Sequence, residues 1–170
     1  MFKDFYKNKK ILITGHTGFK GTWLTCWLLE LGANIVGVSN EIPTDPSMFV
    51  ELGIEKKISH NFLDIRDLKK ISDLISYEKP DIIFHLAAQA IVSESYHNPI
   101  KTVSTNVMGT INILESLKIV DHKIKCVLIT SDKSYFNVEW PWGYKETDRL
   151  GGKDIYSGSK AAADILIESY

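Results

Sequence analysis

A doubly wound α/β fold, in which helices cover both faces of a parallel sheet, is the architecture that this sequence predicts. Short, continuously apolar segments bounded by Gly, Pro or Asp alternate with helical segments along the chain. Strands that are apolar on both faces are typical of a parallel sheet buried between two helical layers, and β-α repetition gives right-handed crossovers. The five predicted strands are Lys10–Thr14, Asn34–Val38, Ile58–Leu63, Asp81–Leu86 and Cys126–Thr130.

Apolar periodicity places three helices. The helix after the first strand carries an apolar stripe that we expect to pack on the sheet, and Gly32 is expected to end it. This stripe consists of Trp23, Leu24, Trp27, Leu28 and Leu31. A longer helix runs from about Pro99 to Leu117, and the last begins near Asp154 and reaches Tyr170. Between them, the aromatic and glycine-containing segment from Asn137 to Lys153 is predicted to be a loop, a kind of segment that is often functional when long.

The composition favours small-molecule chemistry over polymer binding. The 170 residues, 44% of them hydrophobic, are enough for one core, and we expect one domain over residues 1–170. The 20 basic and 21 acidic residues nearly balance, with no basic run longer than Lys7 to Lys10, which argues against nucleic acid or an anionic membrane as a partner.

The N-terminus and the cysteines suggest a cytoplasmic protein without a metal site. The apolar stretch from Ile11 to Gly15 is too short for a signal peptide or a membrane span. Cys26 and Cys126 are a hundred positions apart, without a Cys-x-x-Cys pattern or clustered His, so we interpret both as buried thiols rather than metal ligands or a disulfide.

A Gly-x-x-Gly-x-x-Gly pattern directly after the first strand is the strongest local signal. Such a turn lets the backbone approach a pyrophosphate, whose charge then meets the free N–H groups and the dipole of the following helix. Its strand-turn-helix context predicts a Rossmann-type dinucleotide site rather than a purely structural turn. His16, inside the turn, is a candidate to face the cofactor or the substrate. The predicted contact residues are Gly15, His16, Thr17, Gly18, Phe19, Lys20 and Gly21.

Two carboxylates are candidates for the adenosine end of the dinucleotide. Glu41 follows the second strand, where an acidic residue usually binds the ribose 2'-hydroxyl, although a plain exposed loop carboxylate is the alternative. No Arg nearby is available for a 2'-phosphate, which favours NAD over NADP. Asp64, followed by Ile65, is a candidate acceptor for the adenine amino group, and capping of a helix is its alternative role.

A second strong signal is Tyr156 with Lys160, because residues four apart lie on one face of a helix. An ammonium beside a phenol lowers the phenol pKa and makes the phenolate available as a base near neutral pH. The pattern is common by chance, but its position after a phosphate-binding turn and five strands favours a catalytic pair.

Polar groups also follow the fourth and fifth strands, whose carboxyl ends face the ligand crevice of such a sheet. Ser131, Asp132 and Lys133 bring a hydroxyl, a carboxyl and an ammonium together, with a polar turn capped by Asp132 as the alternative interpretation. The small residues after the fourth strand allow close approach to a nicotinamide ribose; the predicted contacts there are Leu86, Ala87, Ala88 and Gln89. His85 is interpreted as a core histidine, and Asn106 either fixes backbone geometry near the site or lies on the surface.

Taken together, these motifs resemble the extended short-chain dehydrogenases that act on nucleotide sugars, and within them the CDP-glucose 4,6-dehydratases. The closer resemblance is carried by Gly15–Gly21, Thr130–Lys133, Trp140–Tyr144 and Leu150–Gly152. Lys133 distinguishes the CDP-glucose 4,6-dehydratases from their relatives. The related dTDP-glucose and GDP-mannose dehydratases have Glu after the Asp, and epimerases generally lack the acid-base pair.

The resemblance implies NAD as cofactor, CDP-glucose as substrate and a three-stage reaction. Tyr156, activated by Lys160, takes the proton of the C4 hydroxyl as hydride leaves C4, while Ser131 binds the C4 oxygen. Lys133 then removes the C5 proton, Asp132 protonates the departing C6 hydroxyl, and the hydride returns to C6. Asn106, Tyr156 and Lys160 are also expected beside the cofactor.

The resemblance further implies a chain about twice as long and a homodimer formed by the helices near Pro99–Leu117 and Asp154–Tyr170. We therefore expect a fragment that lacks most of the nucleotide-sugar domain. An epimerase of the same fold, a non-catalytic NAD-binding remnant and an interaction module that binds no NAD are the alternatives.

Overall fold

A five-stranded parallel sheet in the order β3-β2-β1-β4-β5 forms the centre of the molecule. The computed structural model describes residue 2 and residues 4–170. All five predicted strands are present, with ends that differ by at most two residues. The reversal of strand order between β1 and β4 places a crevice at the carboxyl edge of the sheet, where such folds bind ligands. The strands are β1 (Lys10–Thr14), β2 (Asn34–Ser39), β3 (Ser59–Phe62), β4 (Ile82–His85) and β5 (Lys125–Leu128).

In the described part of the chain, seven α-helices connect and cover the strands. The predicted long helix consists of α5, a π-helical turn at Ser104–Met108, and α6. The last helix begins where predicted, because the side chain of Asp154 caps it by accepting from the backbone N–H of Ser157. The apolar periodicity did not place α2, α3 and α4 individually. The helices are α1 (Phe19–Glu30), α2 (Met48–Glu51), α3 (Leu68–Glu78), α4 (Val92–His97), α5 (Pro99–Val103), α6 (Gly109–Leu117) and α7 (Ile155–Ser169).

The core has two layers, one on each face of the sheet. Successive side chains of a strand point to opposite faces. Leu12 of β1 therefore packs with Ile71 of α3 and Ile113 of α6, whereas Ile11 of β1 packs on the other face with Leu28 of α1. This arrangement confirms the prediction of a sheet covered on both sides.

The predicted contact face of α1 is wrong in part. Trp23 and Trp27 are 59% and 53% exposed, and the residues that α1 buries are Gly21, Thr22, Thr25 and Leu28. The reason is the close approach of the helix to the glycine turn, where a Cβ at Gly21 would lie 2.1 Å from the carbonyl oxygen of Gly15. Only small side chains fit there, so the tryptophans point outward. Gly32 does end the helix region, with a left-handed φ of +78°.

The segment from Asn137 to Lys153 is a loop, as predicted. An isolated antiparallel bridge joins Tyr135 to Leu150 at its base. The ring of Tyr144 in the loop stacks on the ring of Tyr135, which precedes the loop, with centroids 5.4 Å apart, so aromatic packing orders the loop.

Cys26 and Cys126 are free and half-buried, so the prediction of buried thiols is only partly right. Among residue 2 and residues 4–170, no group of three or more His, Cys, Asp or Glu side chains is placed to hold a metal ion. Within the same residues, none of the helices has both the length and the apolar character needed to cross a bilayer.

The assignment of the α1 contact face predicts unequal costs for two substitutions in one helix. Leu28→Ala removes a buried side chain and should cost about 2–5 kcal/mol of unfolding free energy. Trp23→Gln, at an exposed position, should cost less than about 1 kcal/mol. Urea denaturation followed by circular dichroism measures both, and an equal or larger loss for Trp23→Gln would contradict the assignment.

Candidate functional site

Two glycines of the turn after β1 are required by the fold itself. Gly15 has a left-handed φ of +73°, and a Cβ on it would lie 2.8 Å from the backbone nitrogen of Ala87. Gly21 has no room for a Cβ because of the Gly15 carbonyl described above. The turn is thereby pressed between β4 and α1, as the predicted tight approach requires.

Gly18 differs, because the protein itself leaves room for a side chain there. A Cβ at Gly18 would meet only the Gly15 carbonyl oxygen, at an ordinary 3.4 Å, and its φ of −75° is accessible to any residue. No side chain caps α1, and the first backbone bond into the turn runs from Thr22 N to Gly18 O. The N–H groups of Phe19, Lys20 and Gly21 therefore lack helical acceptors. This open, uncapped cradle fits a phosphate group.

Thr17 and Glu41 are joined at the carboxyl end of β2. The Thr17 hydroxyl lies 2.6 Å from the hydroxyl of Ser39 and donates to the backbone carbonyl of Glu41 at 2.7 Å. Thr17 is buried, whereas Glu41 is exposed. The Glu41 carboxylate is thus carried on an anchored backbone at the crevice, where both its predicted ribose contact and the plain loop alternative stay open.

The side chain of His16 points into the protein, which corrects the prediction that it faces a ligand. The ring is fully buried, passes over Gly37, and places Nε2 2.7 Å from Nδ1 of His60. Its edge also meets the ring of Phe49. Burial lowers the pKa of His16 to about 4, which keeps it neutral at physiological pH. Only the backbone of His16 remains in the turn.

Asp64 is engaged by a neighbouring arginine. Nε and Nη2 of Arg66 donate to its two carboxylate oxygens at 3.0 and 2.5 Å, and the side-chain hydrogen bonds from Arg66 hold the pKa of Asp64 below its usual range. The helix α3 is capped by Asp67 instead, so the capping alternative for Asp64 is wrong. The adenine contact of Asp64 stays a prediction.

Ile65, predicted next to the adenine, belongs to the core. Its side chain is 4% exposed and fills the space above Gly109, and its carbonyl oxygen accepts from Nδ2 of Asn112 at 2.9 Å. The side chain and the carbonyl oxygen of Ile65 are therefore not free for a ligand. A contact of the Ile65 backbone N–H with the cofactor stays a prediction.

Asn106 fixes the backbone after β4, which confirms the first of its two predicted roles and excludes the surface role. It is 1% exposed; Oδ1 accepts from Gln89 N at 2.8 Å, and Nδ2 donates to Gln89 O at 3.0 Å and to Ser159 Oγ at 2.9 Å. Since its amide is used in this way, Asn106 positions the loop rather than contacting a cofactor directly. Leu86, Ala87 and Ala88 lie half-buried beside the glycine turn.

His85 is the core histidine that the sequence predicts. Its two ring nitrogens lie 2.7 Å from Oγ1 of Thr14 and 3.1 Å from Oγ1 of Thr110. Complete burial lowers the pKa of His85 to about 3, so the ring is neutral and ties β4 to β1 and α6.

Lys160 lies where the glycine turn and the end of β5 meet. It is 6% exposed, and Nζ donates to the carbonyl oxygen of Ile129 at 3.3 Å. Burial, with a smaller repulsion from Lys20, lowers the pKa of Lys160 to about 8, while Asp164 opposes the shift. A buried amine whose pKa lies near neutral pH thus stands beside α1 and β5, and its predicted role in a catalytic pair stays a prediction.

Tyr156 precedes Lys160 by one helical turn and lies on the same face of α7. Its backbone is held firmly, because N–H donates to Ser95 Oγ at 3.3 Å and the carbonyl accepts from Ser159 Oγ at 2.7 Å. Since Ser159 also binds Asn106, the loop after β4 and the helix carrying Tyr156 are one hydrogen-bonded unit. A phenol and an ammonium at this spacing can transfer a proton to or from a substrate hydroxyl.

A 3₁₀ turn at Asp132–Ser134 carries the third set of predicted groups. Ser131 caps it by accepting from Lys133 N at 3.2 Å, so the alternative of a turn capped by Asp132 is wrong. The Ser131 hydroxyl also donates to Oδ1 of Asp132 at 3.1 Å. The side chains of Asp132 and Lys133 are exposed at the carboxyl end of β5 and are open to a ligand.

Ser134 and Asp164 contact the site, although neither was predicted from the sequence as a site residue. The Ser134 hydroxyl lies 3.2 Å from Oδ2 of Asp164, which connects the 3₁₀ turn to α7. One signal was available: Asp164 follows Lys160 by the same four residues that separate Lys160 from Tyr156. Ser134 had no comparable signal, because a serine in a polar turn is ordinary.

The electrostatics of Lys160 predict the effect of one charge. Lys20→Gln removes a repulsive neighbour and should raise the pKa of Lys160 above about 8, whereas Lys69→Gln, which removes an equal charge on α3, should leave it unchanged. A pH titration of the lysine side-chain ¹³Cε signals by NMR gives both values. An unchanged or lowered pKa for Lys160 in Lys20→Gln would contradict the placement of these two ammonium groups.

Comparison with known proteins places this geometry in a family. The family model described as GDP-mannose 4,6 dehydratase matches residues 12–170. The CDP-glucose 4,6-dehydratase of Salmonella typhimurium is 46% identical over 99% of this chain and 47% of its own length. The GDP-mannose 4,6-dehydratase of Yersinia enterocolitica is 33% identical, over 95% of this chain and 45% of that protein.

A solved structure has the same fold. The UDP-glucose 4-epimerase of Thermus thermophilus, a complex with NAD, superimposes with a TM-score of 0.83 at 25% identity, over 95% of this chain and 50% of the epimerase. The chain thus spans about half the length of the curated relatives it matches. With the matching family model, the parallel sheet and the glycine turn, the chain belongs to the GDP-mannose 4,6 dehydratase family.

Proposed function

We propose that this chain is the dinucleotide-binding and catalytic half of an NAD-dependent CDP-glucose 4,6-dehydratase. The observation that carries the proposal is the meeting of three groups at one sheet edge: the uncapped glycine turn, the Tyr156–Lys160 pair on α7, and the Asp132–Lys133 turn after β5. The 46% identity to a CDP-glucose 4,6-dehydratase supports this substrate over other nucleotide sugars. A cytoplasmic location and a single Rossmann-type domain over residues 1–170 are parts of the same proposal.

The residues present fit NAD. The free N–H groups of Phe19, Lys20 and Gly21 would bind its pyrophosphate, and the space at Gly18 would let the phosphates approach. Glu41 would bind the adenosine ribose and Asp64 the adenine. When bound, the nicotinamide accepts a hydride from the sugar and later returns it.

The first stage is oxidation at C4 of the sugar. The Tyr156 phenolate takes the proton of the C4 hydroxyl, and the Lys160 ammonium stabilises the phenolate at the pH where the lysine is charged. The Ser131 hydroxyl, held at the cap of its turn, binds the C4 oxygen. The resulting ketone makes the proton on C5 acidic.

The second stage is elimination of water. Lys133 would remove the C5 proton, and Asp132 would protonate the departing C6 hydroxyl. Return of the hydride to C6, with return of a proton from Lys133 to C5, would leave a 4-dehydro-6-deoxy sugar, so the net reaction is a dehydration. The Asp132–Lys133 pair favours this outcome over C4 epimerisation, because epimerisation expels no group from C6 and needs neither a base at C5 nor an acid at C6.

Substitutions at two glycines of the turn should affect cofactor binding and folding separately. Gly18→Val places a branched side chain in the open cradle and should weaken NAD binding at least tenfold, with a change in melting temperature of no more than a few degrees. Gly21→Ala should lower the melting temperature strongly, because its Cβ meets a backbone oxygen. Titration calorimetry and thermal melts measure the two effects. If Gly18→Val binds NAD like the parent chain, the cradle is not the cofactor site.

Lys133 should be needed for elimination, the step that follows formation of the C4 ketone. In a form of the protein that spans the full length of its relatives, Lys133→Ala should lower the rate of product formation about a hundredfold or more. The same variant should accumulate NADH, since oxidation at C4 does not need Lys133. Absorbance at 340 nm follows NADH and chromatography follows the keto sugar. Equal loss of both signals would contradict a role of Lys133 in the elimination step.

The 170-residue chain alone is expected to form product at a negligible rate, because most of the CDP-binding residues are expected outside it.

A homodimer through α5, α6 and α7 is also proposed. Exposed apolar side chains lie along these helices; they include Ile100, Val103, Met108, Ile155 and Ile165. Helices α5 and α7 pack side by side, so these residues can form one surface.

The double variant Ile100→Asp with Ile165→Asp should therefore be monomeric under conditions where the parent chain is dimeric. Buried like charges across a two-fold interface oppose association. Sedimentation velocity at increasing concentration measures the state of both forms, with Tyr77→Asp, at an exposed residue of α3, as the control. A parent chain that stays monomeric at high concentration would contradict the proposed interface.

A further inference from the structure

We propose that Ser134 and Asp164 form a clamp that positions the Asp132–Lys133 turn against α7. The clamp would fix the position of the elimination residues, Asp132 and Lys133, relative to the oxidation residues, Tyr156 and Lys160 of α7. The inference deepens the proposed function and rests on it for its catalytic consequence, whereas the clamp itself is a contact within this chain.

Ser134 is the buried anchor of the turn. It is 1% exposed, although it directly follows the exposed Lys133. Its hydroxyl lies 2.6 Å from the carbonyl oxygen of Ser131 and 3.2 Å from Oδ2 of Asp164, so one proton is shared between two acceptors. Its carbonyl oxygen accepts from Gly151 N at 2.7 Å. The residue thus ties the turn to the helix and to the segment that leads into it.

Asp164 is placed to act on both sets of groups. It follows Lys160 by one helical turn, and its carboxylate raises the pKa of Lys160 against the effect of burial. The same carboxylate holds Ser134. One side chain therefore supports the ammonium of the oxidation pair and the backbone of the elimination pair.

A second tie lies on the other side of the turn. Nζ of Lys160 donates to the carbonyl oxygen of Ile129, two residues before Ser131. The segment between Ile129 and Ser134 is therefore bound to α7 at both ends, by two residues one helical turn apart. Because Asp132 and Lys133 are exposed, the position of their reactive atoms depends on this backbone. A loss of register of about 1 Å is enough to slow a reaction strongly.

The clamp has a specific consequence for the two half-reactions. Loss of the Ser134 hydroxyl releases the end of the turn that follows Lys133 and leaves Asp164 beside Lys160, whereas Tyr156 keeps its own hydrogen bonds to Ser95 and Ser159. Oxidation at C4 should then continue while elimination slows. A residue that only stabilised the fold would slow both steps together.

The contact is tested on this chain by hydrogen-deuterium exchange and NMR. In Asp164→Ala, which removes the acceptor, the amides of residues 133–135 and Gly151 should exchange at least tenfold faster than in the parent, while β1 and β2 stay unchanged. The pKa of Lys160 should also fall below its parent value. Glu168→Ala, which removes an exposed carboxylate one turn further along α7, is the matched control and should alter neither reading. Unchanged exchange near Ser134 in Asp164→Ala would overturn the clamp.

The catalytic role is tested in a form spanning the full length of the relatives. Ser134→Ala should form NADH from CDP-glucose at close to the parent rate but form product at least tenfold more slowly, and Ser134→Thr, which keeps the hydroxyl, should restore product formation. Equal slowing of both steps would overturn the positioning role. If the unsubstituted protein forms no keto sugar, the proposed function fails, and the exchange experiment still decides the clamp.

Discussion

The close contact between Gly21 and the carbonyl of Gly15 is the constraint on which the rest of the site depends. With no space for a Cβ, the first turn of α1 lies directly on the end of β1, and Gly15 in turn lies on the backbone of Ala87 at the end of β4. Three elements therefore meet within a few ångströms. This contact leaves the N–H groups of the helix start open and brings Lys20 near Lys160, so one steric requirement produces both the cradle and part of the electrostatics beside it.

Charge inside the site is controlled by burial. His16 and His85 lie under the glycine turn and at the end of β4, and burial lowers the pKa of each so far that both stay neutral. Lys160 is then the buried group whose pKa, at about 8, lies close to physiological pH. A single titratable cation beside a tyrosine suits proton transfer at C4, since the neighbouring imidazoles do not compete for the proton.

Much of the fold could be predicted from the sequence because continuous apolar strands and the glycine turn are local signals. The orientation of α1 could not be predicted, because the lack of space at Gly21, and not hydrophobicity, determines which face of the helix is buried. Trp23 and Trp27 are therefore exposed. In the same way, the position of His16 in the glycine turn predicts a contact with a ligand. The absence of a Cβ at Gly37 instead lets the ring of His16 pass into the core. The Tyr156–Lys160 pair was predictable from helical spacing. The contact of Ser134 with Asp164 was not, because it joins a loop to a helix 30 positions away.

In the proposed reaction, the hydride removed at C4 returns to C6 of the same sugar while Lys133 and Asp132 expel water. The decisive substrate is CDP-glucose carrying deuterium at C4, used with a form of the protein spanning the full length of its relatives and a catalytic amount of NAD. We predict a 4-dehydro-6-deoxy product with the deuterium on C6, located by NMR or mass spectrometry. Deuterium retained at C4 of an epimerised sugar, or a product with no deuterium at C6, would contradict it.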